Sequence, residues 1–106
     1  MSELIFNDAN FESEVLGSEI PVLVDFFATW CGPCRMQGPI VEELANEMSD
    51  KAKVGKLDVD GAPQTAQKYQ VMSIPTLLVF KGGELKATLI GLQTKEALKA
   101  ELEKWI

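Results

Sequence analysis

The sequence predicts an α/β protein built on a mixed sheet, and three observations point there. Short apolar segments alternate with helical patterns in the order βαβαβαββα. The run Val22-Leu23-Val24-Asp25-Phe26-Phe27-Ala28 is apolar at both parities, as suits a strand covered on both faces in a parallel sheet. Lys81-Gly82-Gly83 is short enough for a hairpin, so the last two strands should pair antiparallel. The expected architecture is a five-stranded mixed sheet flanked by four helices, in one domain spanning residues 1–106.

Each element follows from its residues. Glu3-Leu4-Ile5-Phe6 is a short strand, and Asn7 and Asp8 offer capping oxygens to a helix whose Phe11, Val15 and Leu16 share a face. Residues Gly17 to Pro21 break that helix before the Val22–Ala28 strand. The next helix starts around Pro33, where a missing N–H costs nothing, and runs to about Met48. Ile40, Leu44 and Met48 lie on one side, and Pro39 should kink it. Lys53–Val59 is the third strand, Asp60-Gly61-Ala62-Pro63 a turn, and a short helix follows to about Tyr69. Thr76–Phe80 and Glu84–Ile90 form the hairpin, and Gly91 ends it. Thr94 caps a last helix with Leu98, Leu102, Trp105 and Ile106 as its apolar stripe.

Composition removes several function classes. Ten basic against sixteen acidic residues give a net charge of −6 with no basic cluster, which argues against nucleic acid or an anionic membrane as partner. No apolar run approaches the roughly 20 residues that cross a bilayer. Met1-Ser2-Glu3-Leu4 has no basic region followed by an apolar stretch, so it does not read as a signal peptide and the cytoplasm is the expected compartment. Histidine is absent, so acid-base work falls to a carboxylate, lysine, tyrosine or thiol.

The chemistry concentrates at Trp30-Cys31-Gly32-Pro33-Cys34, which holds the only two cysteines. A Cys-x-x-Cys where a strand meets a helix is foremost a redox device. Cys31 lies at the helix start, where unpaired N–H groups and the dipole favour a thiolate. Cys34 lies one turn further in. Cys31 is therefore expected as the accessible nucleophile, and Cys34 as the more buried thiol that resolves the mixed disulfide. Gly32 lets a partner backbone approach, and Pro33 is rigid and uncharged. A cation at either position would favour the reduced form and make an oxidant; its absence points to a reductant. Zinc needs about four ligands and finds two here. A permanent bridge across so small a loop would constrain the unfolded chain little.

Asp25 interrupts the most apolar run and shares its strand face with Leu23 and Phe27. Burial there would raise its pKa and let it exchange a proton with Cys34 near neutrality; the plainer alternative is a solvated aspartate at a strand end. Lys56 is its candidate partner across the sheet, or else a lysine snorkelling to the surface. Trp30 reads as contact surface or as core. Ile74-Pro75 stands just before a strand, where proline's missing N–H is tolerated.

Val24-Asp25-Phe26, Trp30-Cys31-Gly32-Pro33-Cys34, Pro39, Ile74-Pro75-Thr76 and Gly91 resemble the thioredoxin family in order and spacing, over essentially the whole chain. That family is itself the standard example of an acidified Cys-x-x-Cys. The resemblance implies the thioredoxin fold and a general protein-disulfide reductase, recharged by a thioredoxin reductase. No cofactor is needed beyond the redox-active Cys31–Cys34 disulfide. It further implies that Pro75 is cis and faces the pair, and that Trp30, Gly32, Pro33, Ile74, Pro75 and Gly91 line a substrate groove. Asp25 matches the family's buried acid and Lys56 its nearby lysine. The implied substrates are ribonucleotide reductase, thiol peroxidases of the peroxiredoxin kind and methionine sulfoxide reductases. The sequence leaves the oligomeric state open, with a monomer as the default expectation. The chain departs from the common bacterial pattern at Phe27 (often tryptophan), Arg35 (often lysine), Gly38, and Met72 (often basic).

Two other functions stay open on sequence alone. One is an oxidase or isomerase, which Gly32-Pro33 and the missing leader disfavour. The other is a binding module without turnover, which would act independently of the cysteines.

Overall fold

The strand Val22–Phe27 (β2) is the middle of a five-stranded sheet ordered β1-β3-β2-β4-β5. The protein is described by a computed structural model over residues 3–106; Met1 and Ser2, the start of the stretch read above for a leader, lie outside the described residues. β1 (Glu3–Phe6) and β3 (Lys53–Asp58) run parallel to β2. β4 (Thr76–Lys81) pairs antiparallel to β2 on its other side, and β5 (Glu84–Ile90) antiparallel to β4. The mixed sheet is as the sequence predicts.

β2 is buried along nearly its whole length because both faces are covered. Val22, Val24 and Phe26 meet Phe6, Phe11, Val15, Leu57, Leu78 and Phe80 on one side. Leu23 meets Val41, Leu44, Val54, Leu77, Val79, Leu98 and Leu102 on the other. The second side is the one covered by α1 (Gly32–Glu47) and α3 (Lys95–Glu103). The two helices are also joined by Lys95, which pairs with both Glu43 and Glu47.

Two glycine requirements are backbone matters. The loop Gly82-Gly83 has φ of 62° and 81°, the left-handed geometry that a two-residue hairpin demands. Gly55 lies where β3 meets β1, and a Cβ there would fall 2.5 Å from the Leu4 carbonyl oxygen and 2.6 Å from the Phe6 ring.

Several local expectations are corrected. The first helix forms only as a π-helical turn, Glu12–Leu16, closed by the Gly17 N–H on the Glu12 carbonyl at 2.8 Å. No side chain caps this turn: Asn7 exchanges side-chain and backbone bonds with Asn10 in the bend before it, and Asp8 turns elsewhere. Its carboxylate instead accepts from the Gln64 and Thr65 N–H groups and the Thr65 hydroxyl, capping α2 (Pro63–Lys68). On α1 the buried residues are Cys34, Gln37, Val41, Leu44 and Ala45, with Met48 just beyond. Ile40 is only half-buried, because the stripe runs through position 41. Thr94 caps α3 through the Ala97 N–H at 3.1 Å, and the helix buries Leu98 and Leu102; Trp105 and Ile106 both lie past its end, Trp105 packed against the core and Ile106 exposed.

Candidate active site

The reactive pair is built by the start of α1. Cys31 is the N-cap residue, extended in backbone (φ −90°, ψ 119°), and its sulfur accepts the Cys34 N–H at 3.2 Å. The first N–H groups of a helix have no partner within it, so Cys31 Sγ sits where donors and the helix dipole converge. Pro33 at the second helical position needs no partner of its own. The two cysteines are joined as a disulfide, with Cα atoms 5.3 Å apart.

The expected difference in exposure is not found. Cys31 and Cys34 are each 5% exposed in this disulfide form. Both belong to one apolar cluster with Ala28, against which Phe27, Val59 and Ile74 pack. What separates the two is their surroundings: Cys31 Sγ lies 3.8 Å from the Ile74 carbonyl oxygen, whereas Cys34 lines a cavity that Asp25 also lines.

Asp25 sits on β2, register partner of Lys56 on β3 and Leu77 on β4. It is 2% exposed, and its Oδ1 is buried without a hydrogen-bond partner. The solvated-aspartate alternative is thereby removed. Asp25 and Cys34 line one cavity of about 240 Å³, together with Phe27, Lys56, Arg35 and Gly38. Burial raises the Asp25 pKa to about 7, the Glu3 charge adds to this, and Lys56 opposes it. Lys56 Nζ lies over the Phe27 ring, 5.5 Å from its centre.

The remaining expected groove residues fall on two sides. Trp30, Gly32 and Pro33 are exposed around the disulfide. Trp30 is 67% exposed and its indole N–H donates to Asp60 Oδ2 at 2.8 Å, so it is surface and not core. Gly32 would accept a Cβ without contact; its own fold does not require glycine. Ile74-Pro75 is cis, with Pro75 buried and Ile74 half-buried. Gly91 (φ 88°) donates its N–H to the Pro75 carbonyl at 2.9 Å. Met72 is 95% exposed.

Two residues of this neighbourhood escape the sequence reading. Glu3, on β1, carries a second buried oxygen without a partner, and burial raises its pKa while Lys56 lowers it and Glu42 raises it. Gln37 is fully buried within α1; its place three residues after Cys34, on the same helical face, is the signal that would have found it.

A disulfide between an N-cap cysteine and a second cysteine one helical turn on, with a buried carboxylate on the adjoining central strand, defines a dithiol-disulfide oxidoreductase. Comparison with known proteins agrees. The family model described as Thioredoxin matches residues 2–104. Thioredoxin of Synechocystis sp. is 49% identical over 94% of this chain and 94% of its own length. Thioredoxin of Rickettsia typhi is 53% identical, covering 86% of this chain and 87% of its own. The chloroplastic M-type thioredoxin of Pisum sativum is 52% identical over 96% of this chain, which spans 59% of that protein's length. The chain belongs to the thioredoxin family. It is thus a protein-disulfide oxidoreductase whose partners are disulfide substrates and a reductase. The family's chemistry uses the cysteine pair itself. Among the described residues, no group of three or more His, Cys, Asp or Glu converges on a metal position, and no helix is long and apolar enough to cross a membrane.

Proposed function

We propose that the chain is a general dithiol electron carrier in which Cys31 attacks, Cys34 resolves and Asp25 handles the proton. The observation that carries this is the shared cavity of Asp25 and Cys34 beneath an N-cap Cys31. In the reduced protein the Cys31 thiolate attacks one sulfur of a substrate disulfide. The other substrate sulfur leaves as a thiolate and takes a proton from solvent. Cys34 then passes its proton to the Asp25 carboxylate and attacks Cys31 Sγ. The S–S bond to substrate breaks, the second substrate sulfur leaves as a thiolate and takes up the proton held by Asp25, and the Cys31–Cys34 disulfide remains. Two electrons have moved from protein to substrate. Lys56, held over Phe27 rather than on Asp25, moderates the proton affinity of the acid.

The groove for substrate backbone is formed by Trp30, Gly32, Pro33, Ile74, Pro75 and Gly91. A thioredoxin reductase returns the electrons. Ribonucleotide reductase, peroxiredoxins and methionine sulfoxide reductases are the substrates this pattern implies. The protein works as a monomer in the cytoplasm, although one of its similar relatives is chloroplastic.

The test is reduction of insulin disulfides by dithiothreitol, comparing the wild type with Cys31→Ser and Cys34→Ser. The expected result is a fast wild type, an inactive Cys31→Ser, and a Cys34→Ser that stalls as a mixed disulfide. A wild type no faster than dithiothreitol alone would overturn the reductase reading. Redox-independent partner binding by the double serine variant would then favour a binding module.

A further inference from the structure

Gln37 is an amide buried completely in the helix that carries the cysteines, and a buried amide is costly unless its hydrogen bonds are made. Both of its partners are backbone groups of Gln93. Its Nε2 donates to the Gln93 carbonyl at 3.1 Å, and its Oε1 accepts the Gln93 N–H at 2.8 Å. Donor and acceptor both being backbone, the orientation of the amide is fixed. The side chain therefore clamps the segment between β5 and α3 onto α1, across 56 positions of sequence.

The clamped segment reaches the reactive pair from the other direction too. Gly91 bonds the Pro75 carbonyl at 2.9 Å, and the carbonyl of the preceding Ile74 lies 3.8 Å from Cys31 Sγ. A closed circuit of contacts thus runs from Cys31 through Ile74-Pro75 and Gly91–Gln93 to Gln37, then along α1 back to Cys34. The thiol chemistry makes no use of Gln37. An apolar side chain of the same size would fill its space but leave the Gln93 N–H and carbonyl without these partners.

We propose that Gln37 is a positioning residue that fixes the Gly91–Gln93 segment as a wall of the protein-substrate site, and so sets the preference for protein disulfides over small ones. This rests on the reductase reading. Ile90 and Leu92 flank Gly91 and are 66% and 45% exposed. A protein substrate engaged at Cys31 reaches that wall; a small disulfide touches only the sulfur.

The test is Gln37→Met, close in volume but without the amide. Reduction of insulin and of the small aromatic disulfide dithiobis(nitrobenzoate) is measured for wild type and variant. The expected result is a KM for insulin raised about fivefold with little change in kcat, so that the insulin-to-small-disulfide ratio of kcat/KM falls about fivefold. An unchanged ratio, or equal loss on both substrates, overturns the inference. A wild type inactive on insulin would instead defeat the reductase reading itself. Should the variant not fold, amide exchange in the Cys34→Ser protein decides. A peptide trapped on Cys31 should slow exchange at Gly91 and Gln93 but not in the Gly82-Gly83 loop; no slowing overturns the inference.

Discussion

Asp25 and Lys56 are register partners on adjacent strands, yet no hydrogen bond or ion pair joins them among the described residues; Lys56 Nζ lies over the Phe27 ring instead. The carboxyl of Asp25 therefore faces the cost of burial with only an unbonded cation to offset it. Desolvation outweighs that cation, and the pKa rises to about 7.

Stability should reflect this. The folded protein holds a proton on Asp25 at pH values where the unfolded chain, with a pKa near 3.8, has lost it. The contribution is full below about pH 4 and declines as pH rises through 7, since the native state binds more protons. At about 1.4 kcal/mol per unit over roughly three units, the loss is on the order of 4 kcal/mol. Denaturant unfolding of the oxidised protein from pH 4 to 8 should show the decline. Asp25→Asn, neutral throughout, should lack it; an equal decline in that variant would place its source elsewhere.

The two charges around Asp25 should pull its titration in opposite directions. Lys56→Met removes the cation and should raise the midpoint, whereas Glu3→Gln removes a like charge and should lower it. Carboxyl carbon chemical shifts followed against pH report the midpoint directly. Movement of both variants in one direction would show that packing, and not charge, is what changed.

How far this site was legible in the sequence depends on the distance between partners. The parity of Val22–Phe27 identifies a strand buried on both faces and puts Asp25 in the core, because strand periodicity is local. The spacing of Cys31 and Cys34 is local too, and so is the Thr94 cap. Asp8 caps a helix other than the one its sequence position suggests, because its partner Thr65 lies 57 residues away. The Gln37–Gln93 clamp and the neighbourhood of Glu3 and Asp25 are hidden for the same reason. The equal burial of the two cysteines accompanies an apolar cluster that draws Phe27, Val59 and Ile74 from elsewhere in the fold; no helical position reveals it. The π-helical turn depends on one Gly17–Glu12 bond, which residue spacing at helical period does not anticipate.

Gly55 should be intolerant of any side chain. The methyl of Gly55→Ala would meet the Leu4 carbonyl oxygen, a backbone atom, at 2.5 Å, so β1 must move off β3. Overpacking of this kind costs about 2 to 3 kcal/mol, which corresponds to a Tm lower by roughly 10 °C or more for a domain of this size. Thermal unfolding measures it. A Tm within a degree or two of the wild type would mean that β1 shifts freely.

Resolution of the mixed disulfide should carry the signature of Asp25. Cys34 must lose its proton before it attacks, and the acceptor in its own cavity is a carboxyl with a pKa of about 7. Below that pH the carboxyl is already protonated and cannot accept; above it the base is available. Single-turnover release of a fluorescent thiol from the Cys31 mixed disulfide should therefore accelerate with pH, with a midpoint near 7. Asp25→Asn should slow the release by about tenfold or more at neutral pH and remove that midpoint. Formation of the mixed disulfide depends on Cys31 and the helix N-terminus, so its rate should change far less. If release in Asp25→Asn keeps the wild-type rate and profile, the proton from Cys34 goes to solvent, and the buried acid serves some other end.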